Sequence, residues 1–322
     1  MTRLDAEPEA GPEHAADCDG PRAVLLDSRE VPLGGVRAMS VHRALPQRDL
    51  PLVGAWCFLD RFGPQEVRMR VEPHPHIGLQ TVTWPLAGEI RHRDTVGSDV
   101  LITRGALNLM TSGAGIAHSE YSVGEAPMPL DALQLWVALP ESRRHGAPAF
   151  EQHAALPEVT LDGGGTATVV MGEFAGVASP APVPTPIVGA EVRVPAGGRV
   201  RLPLHPEWEY AVVGVAGDIV VHAGPDTAVD TLQLLYLGLD RDAVEVSSAS
   251  GATLFLLGGE PFEDDIVMWW NFVGRSHDEI GEAREAGEAG ADRFGHVVGH
   301  GDERVPAPPL PAVRLTRRRR RL

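Results

Sequence analysis

The chain has 322 residues, enough for two domains of ordinary size with a sizeable core. It carries 44 acids against 28 bases, a formal charge of −16, so most of its surface repels nucleic acid and anionic membrane. No apolar run reaches membrane-spanning length, and Met1–Glu13 lacks the apolar core of a secretory signal, so the expectation is a soluble cytoplasmic protein without membrane attachment.

In chain order, residues 1–21 mix Asp, Glu, Ala, Gly and Pro and offer nothing to bury, which predicts a disordered tail. Ala23-Val24-Leu25-Leu26 opens the folded part. Over residues 22–145, short β-rich segments alternate with Gly, Pro and Asp, and helical periodicity is absent; this predicts a barrel or sandwich. Cys18 lies in the polar tail and Cys57 in an apolar strand, so the two are not expected to bridge and a reducing compartment is consistent. Residues 146–165 read as a linker ending in Asp162-Gly163-Gly164-Gly165. A second β-rich block covers 166–260, with the Pro-rich run Ser179–Pro186 as a surface excursion.

Residues 261–322 change character. The apolar run Ile266–Phe272 is expected to pack the tail back onto a barrel. Ser276-His277-Asp278-Glu279 fits a capping box and opens a helix that ends near Gly287 or Gly290. Pro306–Pro311 reads as an extended arm, and Arg317–Arg321 as a solvated tail or one lying on the protein's own acidic surface, contact with nucleic acid or an acidic partner being the other reading.

The second block repeats the first. His76–Gly88 aligns without gaps on His205–Gly217, matching His76 to His205, Gln80 to Glu209 and Ala87-Gly88 to Ala216-Gly217. An internal duplication is the economical explanation. The second copy has lost the chemistry: Pro203 stands where the first has His74, and no His occurs between His222 and His277. His205, Glu207 and Glu209 are then expected to form an ordinary polar strand edge, the second barrel serving as a structural partner or a binding wall.

The stretch Glu72–Trp84 reads as a strand on which His74 and His76, two apart, share a face. Downstream, His118 and Glu120 have the same spacing in a Gly-rich context. Three imidazoles and a carboxylate on two strands converge as a metal site in a β-barrel. With 13 His in the chain, one His-x-His pair is weak evidence; the second pair, with a buried Glu that needs a partner, favours metal over a hydrogen-bonded polar cluster. His92, beside Arg91, Arg93 and Asp94, reads as a solvated turn, with a supporting or substrate-contacting role as the alternative. Met110, Thr111 and Ser112 are candidates to line the pocket.

The motif His74-Pro75-His76-Ile77-Gly78-Leu79-Gln80-Thr81-Val82-Thr83, followed by Gly115-Ile116-Ala117-His118-Ser119-Glu120, resembles the signature of the pirin family. The resemblance extends to Phe58-Leu59-Asp60-Arg61-Phe62 and Leu133-Gln134-Leu135-Trp136-Val137 and covers most of residues 22–275. It implies an all-β chain of two tandem cupin (double-stranded β-helix, jelly-roll) barrels with a short C-terminal helical tail. It also implies iron ligands at His74, His76, His118 and Glu120. Cupins often place a Glu four residues after the second His, where Gln80 stands here; pirins draw their carboxylate from the second motif instead.

Nitrogen and oxygen donors without thiolate suit Fe(II), and also Mn, Co, Ni, Cu or Zn. Four ligands on one side of an octahedral ion leave two positions open, as an oxygenase needs, and the resemblance favours that layout. It implies oxidation of flavonols such as quercetin, a small aromatic substrate, by O2; mechanistically, Glu120 would then leave the metal and accept the substrate's hydroxyl proton as the catalytic base. The alternative it implies is an iron-dependent regulatory module that binds a protein partner without catalysis.

Overall fold

Short runs of β-branched and aromatic residues cut by Gly and Pro turns fold as strands. In the computed structural model, which describes residues 20–33 and 39–317, the first half of the chain forms twelve of them. They are β1 (Pro21–Asp27), β2 (Arg29–Leu33), β3 (Met39–Leu45), β4 (Trp56–Val67), β5 (Arg70–His76), β6 (Leu79–Ala87), β7 (Glu89–Asp94), β8 (Asp99–Thr103), β9 (Leu107–Thr111), β10 (Ile116–Ser122), β11 (Met128–Ala138) and β12 (Ala149–His153). β12, β9, β6, β11, β4, β3 and β2 pair in that order into one sheet, and β5, β10, β7 and β8 into a second. Ile90 and Ile102 of the smaller sheet pack on Val41, Phe62 and Leu130 of the larger, which closes the first barrel.

The second half supplies β13 (Glu158–Thr160), β14 (Thr166–Phe174), β15 (Val177–Ala178), β16 (Ile187–Val194), β17 (Gly198–Pro203), β18 (Glu209–Gly217), β19 (Ile219–His222), β20 (Asp226–Val229), β21 (Gln233–Gly238), β22 (Ala243–Ser248) and β23 (Ala252–Gly259). The order β21-β18-β23-β16-β14 repeats β9-β6-β11-β4-β3, and β17-β22-β19-β20 repeats β5-β10-β7-β8. The duplication read from the aligned sequences is thus carried through the whole topology, as two cupin barrels in tandem.

The borders differ from the sequence reading. β1 pairs with β21, so residues 21–27 close the edge of the second barrel although they precede the first. Within the expected linker 146–165, β12 extends the first barrel beside β9, and β13 extends the second beside β14. An unpaired edge exposes a row of backbone donors and acceptors, and these segments cover the edges. The expected disorder of residues 1–21 concerns, up to residue 19, positions outside the described residues, as do Cys18 and Arg318–Arg321. Arg317 is described, and pairs with Asp265.

One continuous apolar core joins the barrels, with Trp56, Leu135, Tyr236 and Phe255 in it. Trp56 Nε1 donates to the carbonyls of Val188 and Gly258 at 3.1 Å each, and Trp84 Nε1 donates to Glu191 at 2.8 Å. Glu209 corrects an expectation. His205 and Glu207 are exposed, but Glu209 is fully buried, where it accepts the Gly54 N–H at 2.7 Å and the Tyr236 hydroxyl at 2.8 Å. β18 is buried on both faces from Glu209 to Val215, and a buried carboxylate must find donors.

Past residue 261 come β24 (Val267–Trp269), β25 (Phe272–Gly274) and α1 (His277–Glu288). Ser276 caps the helix by accepting the Glu279 N–H, and Glu279 in turn accepts the Arg275 N–H at 2.7 Å. The helix ends at Ala289, between the two glycines expected to stop it. Ile280 and Ala283 of α1 and Phe272 of β25 pack on Ile77 and Ala117, so the tail returns to the first barrel. Gly78 permits this: its φ is +69°, and a Cβ there would lie 2.0 Å from the Val273 carbonyl oxygen.

Candidate metal centre

β5 and β10 are antiparallel neighbours, with His118 directly opposite His74 and Ile116 opposite His76. Register shifts between His118 and Glu120, so that Glu120 faces Val71 on β5 and His92 on β7. The period of two turns His74, His76, His118 and Glu120 inward, and all four are buried. They line one cavity of about 430 Å³.

The ring orientations are set from behind. His74 Nδ1 lies 2.8 Å from the Glu72 carbonyl and His76 Nδ1 lies 3.1 Å from the Asn271 carbonyl. A carbonyl only accepts, so each Nδ1 carries the proton and each Nε2 is left with a lone pair. His76 Nε2 and His118 Nε2 are 3.1 Å apart. Ligand nitrogens of His74, His76 and His118 fall within 4.8 Å of one another; His118 also shares such a cluster with His92 and Glu120.

Electrostatics agree with a site built for a cation. Burial takes His74 down to about 4, and burial with the neighbouring His74 ring holds His76 and His118 well below the usual imidazole range. All three are neutral donors near pH 7. Burial raises Glu120, and its Oε1 is buried without a hydrogen-bond partner among the described residues. Three converging neutral nitrogens and one orphaned carboxylate oxygen fit a divalent first-row cation.

His92 is not on a solvated turn. It is buried on β7, stacked on Phe150 with centroids 4.4 Å apart, and its Nε2 lies 3.0 Å from Asp94 Oδ2. Burial pushes the Asp94 carboxyl up, but hydrogen bonds from His92 and Ser98 outweigh it and hold the group below its usual range. The signal was in the sequence: His92-x-Asp94 has the same two-residue spacing as both ligand pairs, on the strand next to β10.

Met110, Thr111 and Ser112 do not line the cavity. Met110 is fully buried, Thr111 accepts the Gln80 amide at 3.0 Å, and Ser112 brackets the Leu79 backbone. Gln80 also faces Pro182 of the second barrel, 3.5 Å away, and does not line the cavity either. The walls come from elsewhere. Phe58 and Trp136 stack 4.0 Å apart, and Trp136 meets the His76 ring edge-on at 5.4 Å. Met268, Trp269, Trp270 and Asn271 of the C-terminal hairpin complete the enclosure. Nothing in local sequence periodicity ties these residues to a motif two hundred positions away.

Comparison with known proteins follows the same pattern. The family model described as Pirin matches residues 38–137, and that described as Pirin C-terminal cupin domain matches 189–295. A Pseudomonas aeruginosa protein named "Putative quercetin 2,3-dioxygenase" is 42% identical over 302 residues, 92% of this chain and 94% of its own length. A pirin-like protein of Caulobacter vibrioides is 34% identical, over 83% of this chain and 93% of its own. The crystal structure of a quercetin 2,3-dioxygenase from Acinetobacter baumannii superposes with a TM-score of 0.85 at 37% identity, covering 91% of this chain and 97% of that one.

Proposed function

The chain belongs to the pirin family, and from that premise we propose that it is a single-metal oxidoreductase that oxidises flavonol-like aromatics with O2, of the quercetin 2,3-dioxygenase type. The observation that supports this reading is the clustering of the His74, His76 and His118 ring nitrogens at the wall of an aromatic cavity that Glu120, grouped with His118 and His92, also lines. His74, His76, His118 and Glu120 hold the ion, Fe(II) in this reading, with Mn, Co, Ni, Cu or Zn accepted by the same donors. Bound there, such an ion would supply Lewis-acid chemistry, and as iron also one-electron chemistry.

The remaining work falls to side chains. Phe58, Trp136, Trp269 and Trp270 line the cavity with aromatic surface that would hold a planar substrate and exclude water. Glu120 would accept the substrate's 3-hydroxyl proton on a carboxylate oxygen released from the ion. It is the one carboxylate among these four residues, and a positioned carboxylate can take a proton in the reaction. Turnover of quercetin under air by iron-loaded protein tests the proposal. Oxygen uptake and loss of flavonol at matched rates are expected; no turnover at full iron content would move the reading to an iron-dependent protein-binding module.

A further inference from the structure

We propose that Arg43, held by Asp60 on the wall of the metal cavity, selects flat aromatics that carry an acidic group. This rests on the reading of the cavity as a site for aromatic substrates, and adds the charge of what it takes. β6, β11, β4, β3 and β2 lie side by side, and their pairing sets Thr83, Gln134, Asp60, Arg43 and Arg29 in one row across the sheet. Trp136 and Phe58 stand opposite each other in the next row on the same face, two residues or about 7 Å along the strands. Trp136 is the ring that meets His76. Both aromatics line the cavity, and so do Gln134, Asp60, Arg43 and Arg29.

Hydrogen bonds within the row aim its donors. Asp60, fully buried, accepts from Arg43 Nε and Nη2 at 2.7 Å each, and the guanidinium carbon lies 4.5 Å from the centre of the Phe58 ring. The guanidinium is thus fixed along one edge and one face, while 25% of the Arg43 side chain stays exposed. Its Nη1 makes no hydrogen bond among the described residues, so that edge remains for a ligand. Gln134 Oε1 accepts the Thr83 hydroxyl at 2.9 Å, which leaves the Gln134 NH2 for the cavity. Arg29, opposite Arg43, donates to the Pro46 carbonyl at 2.9 Å and places a second positive charge at the rim. The row therefore offers donors and positive charge, with its carboxylate buried behind the guanidinium it holds. A guanidinium edge binds a carboxylate more strongly than it binds a neutral carbonyl. As a stabilising device alone the pair is poor, since burying an ion pair costs about what it returns.

Binding of 2-naphthoate and of 2-naphthamide to metal-free protein, measured by titration calorimetry, tests this. The two probes share a shape and differ by one negative charge. The wild type should bind the naphthoate tighter by about tenfold or more, the weight of a hydrogen bond to a charged group. Arg43→Gln combined with Asp60→Asn exchanges the ion pair for two amides of similar shape, and the two probes should then bind alike. Arg43→Lys keeps a cation beside Asp60, but an ammonium lacks the planar fork that serves two partners at once, and the preference should fall severalfold. Equal affinity of the probes for the wild type, binding of neither, or a preference unchanged in both variants would overturn the proposal. No ion takes part in this binding, so a lack of quercetin turnover by iron-loaded protein would count against the oxidation chemistry and not against the role of Arg43.

Discussion

Glu209 of the second barrel accepts the backbone N–H of Gly54 in the first at 2.7 Å, inside a region closed to solvent. Gly54 lies on a turn with φ +53°, pressed on the backbone of Gly259, so its N–H has a fixed direction. Glu209→Ala removes the acceptor of that N–H and of the Tyr236 hydroxyl, and should cost about 2–4 kcal/mol. Glu209→Gln keeps an oxygen for Gly54 and should cost about half as much. Denaturant unfolding of the two variants checks this, and wild-type stability in the Ala variant would refute the coupling of barrels through Glu209.

The position of Glu209 also marks what sequence can and cannot reveal here. That His74, His76, His118 and Glu120 turn inward was legible because strand alternation is a local rule, and so was the duplication, since the aligned strands keep their spacing. The helix start at Ser276 was legible for the same reason. Whether Glu209 is an edge residue or a buried anchor depends on what packs against β18, which no local pattern states. The Asn271 carbonyl behind His76, the pairing of β1 with β21 and the burial of His92 are likewise set by long-range register.

One metal per chain is expected, held by the first barrel. His76→Ala deletes an imidazole whose Nε2 faces His118, and should reduce metal content several-fold or more after dialysis. His205→Ala, at the aligned position of the second barrel, alters an exposed ring resting on Trp208 and should leave metal content unchanged. Elemental analysis of both variants and the wild type decides. Two tightly held ions per wild-type chain, or equal losses in the two variants, would refute the assignment.

Acid should weaken the metal-free fold. Burial lowers His74 from 6.5 to about 4 and holds His76 and His118 well below the usual imidazole range, so the folded state keeps neutral rings that the unfolded chain protonates. The stability they contribute is complete above about pH 6.5 and is lost as pH falls toward 4. Glu120 has the opposite sign: its raised pKa favours the folded state on acidification. Three rings against one carboxyl leave a net loss. Urea midpoints of metal-free protein should therefore drop on acidification through this window, and more steeply in Glu120→Gln. A flat or rising midpoint in both proteins would contradict the burial of neutral rings.

Glu120→Gln separates stability from function. In metal-free protein near pH 7, Glu120 must either ionise inside a buried site or bind a proton that the unfolded chain would release, and either costs free energy. The amide removes that cost, so the metal-free variant should be more stable than the wild type by about 1 kcal/mol. Metal binding should weaken, because the charge that meets the cation is gone, although three imidazoles remain. Quercetin turnover, compared at equal iron content so that lost metal does not pass for lost chemistry, should fall by about a hundredfold or more, the usual weight of a general base. Unfolding curves of the metal-free proteins and oxygen uptake by the iron-loaded ones give the two halves independently. A variant that turns over like the wild type would remove Glu120 as the base; a variant less stable without metal would show that its carboxylate is satisfied by a partner inside the fold.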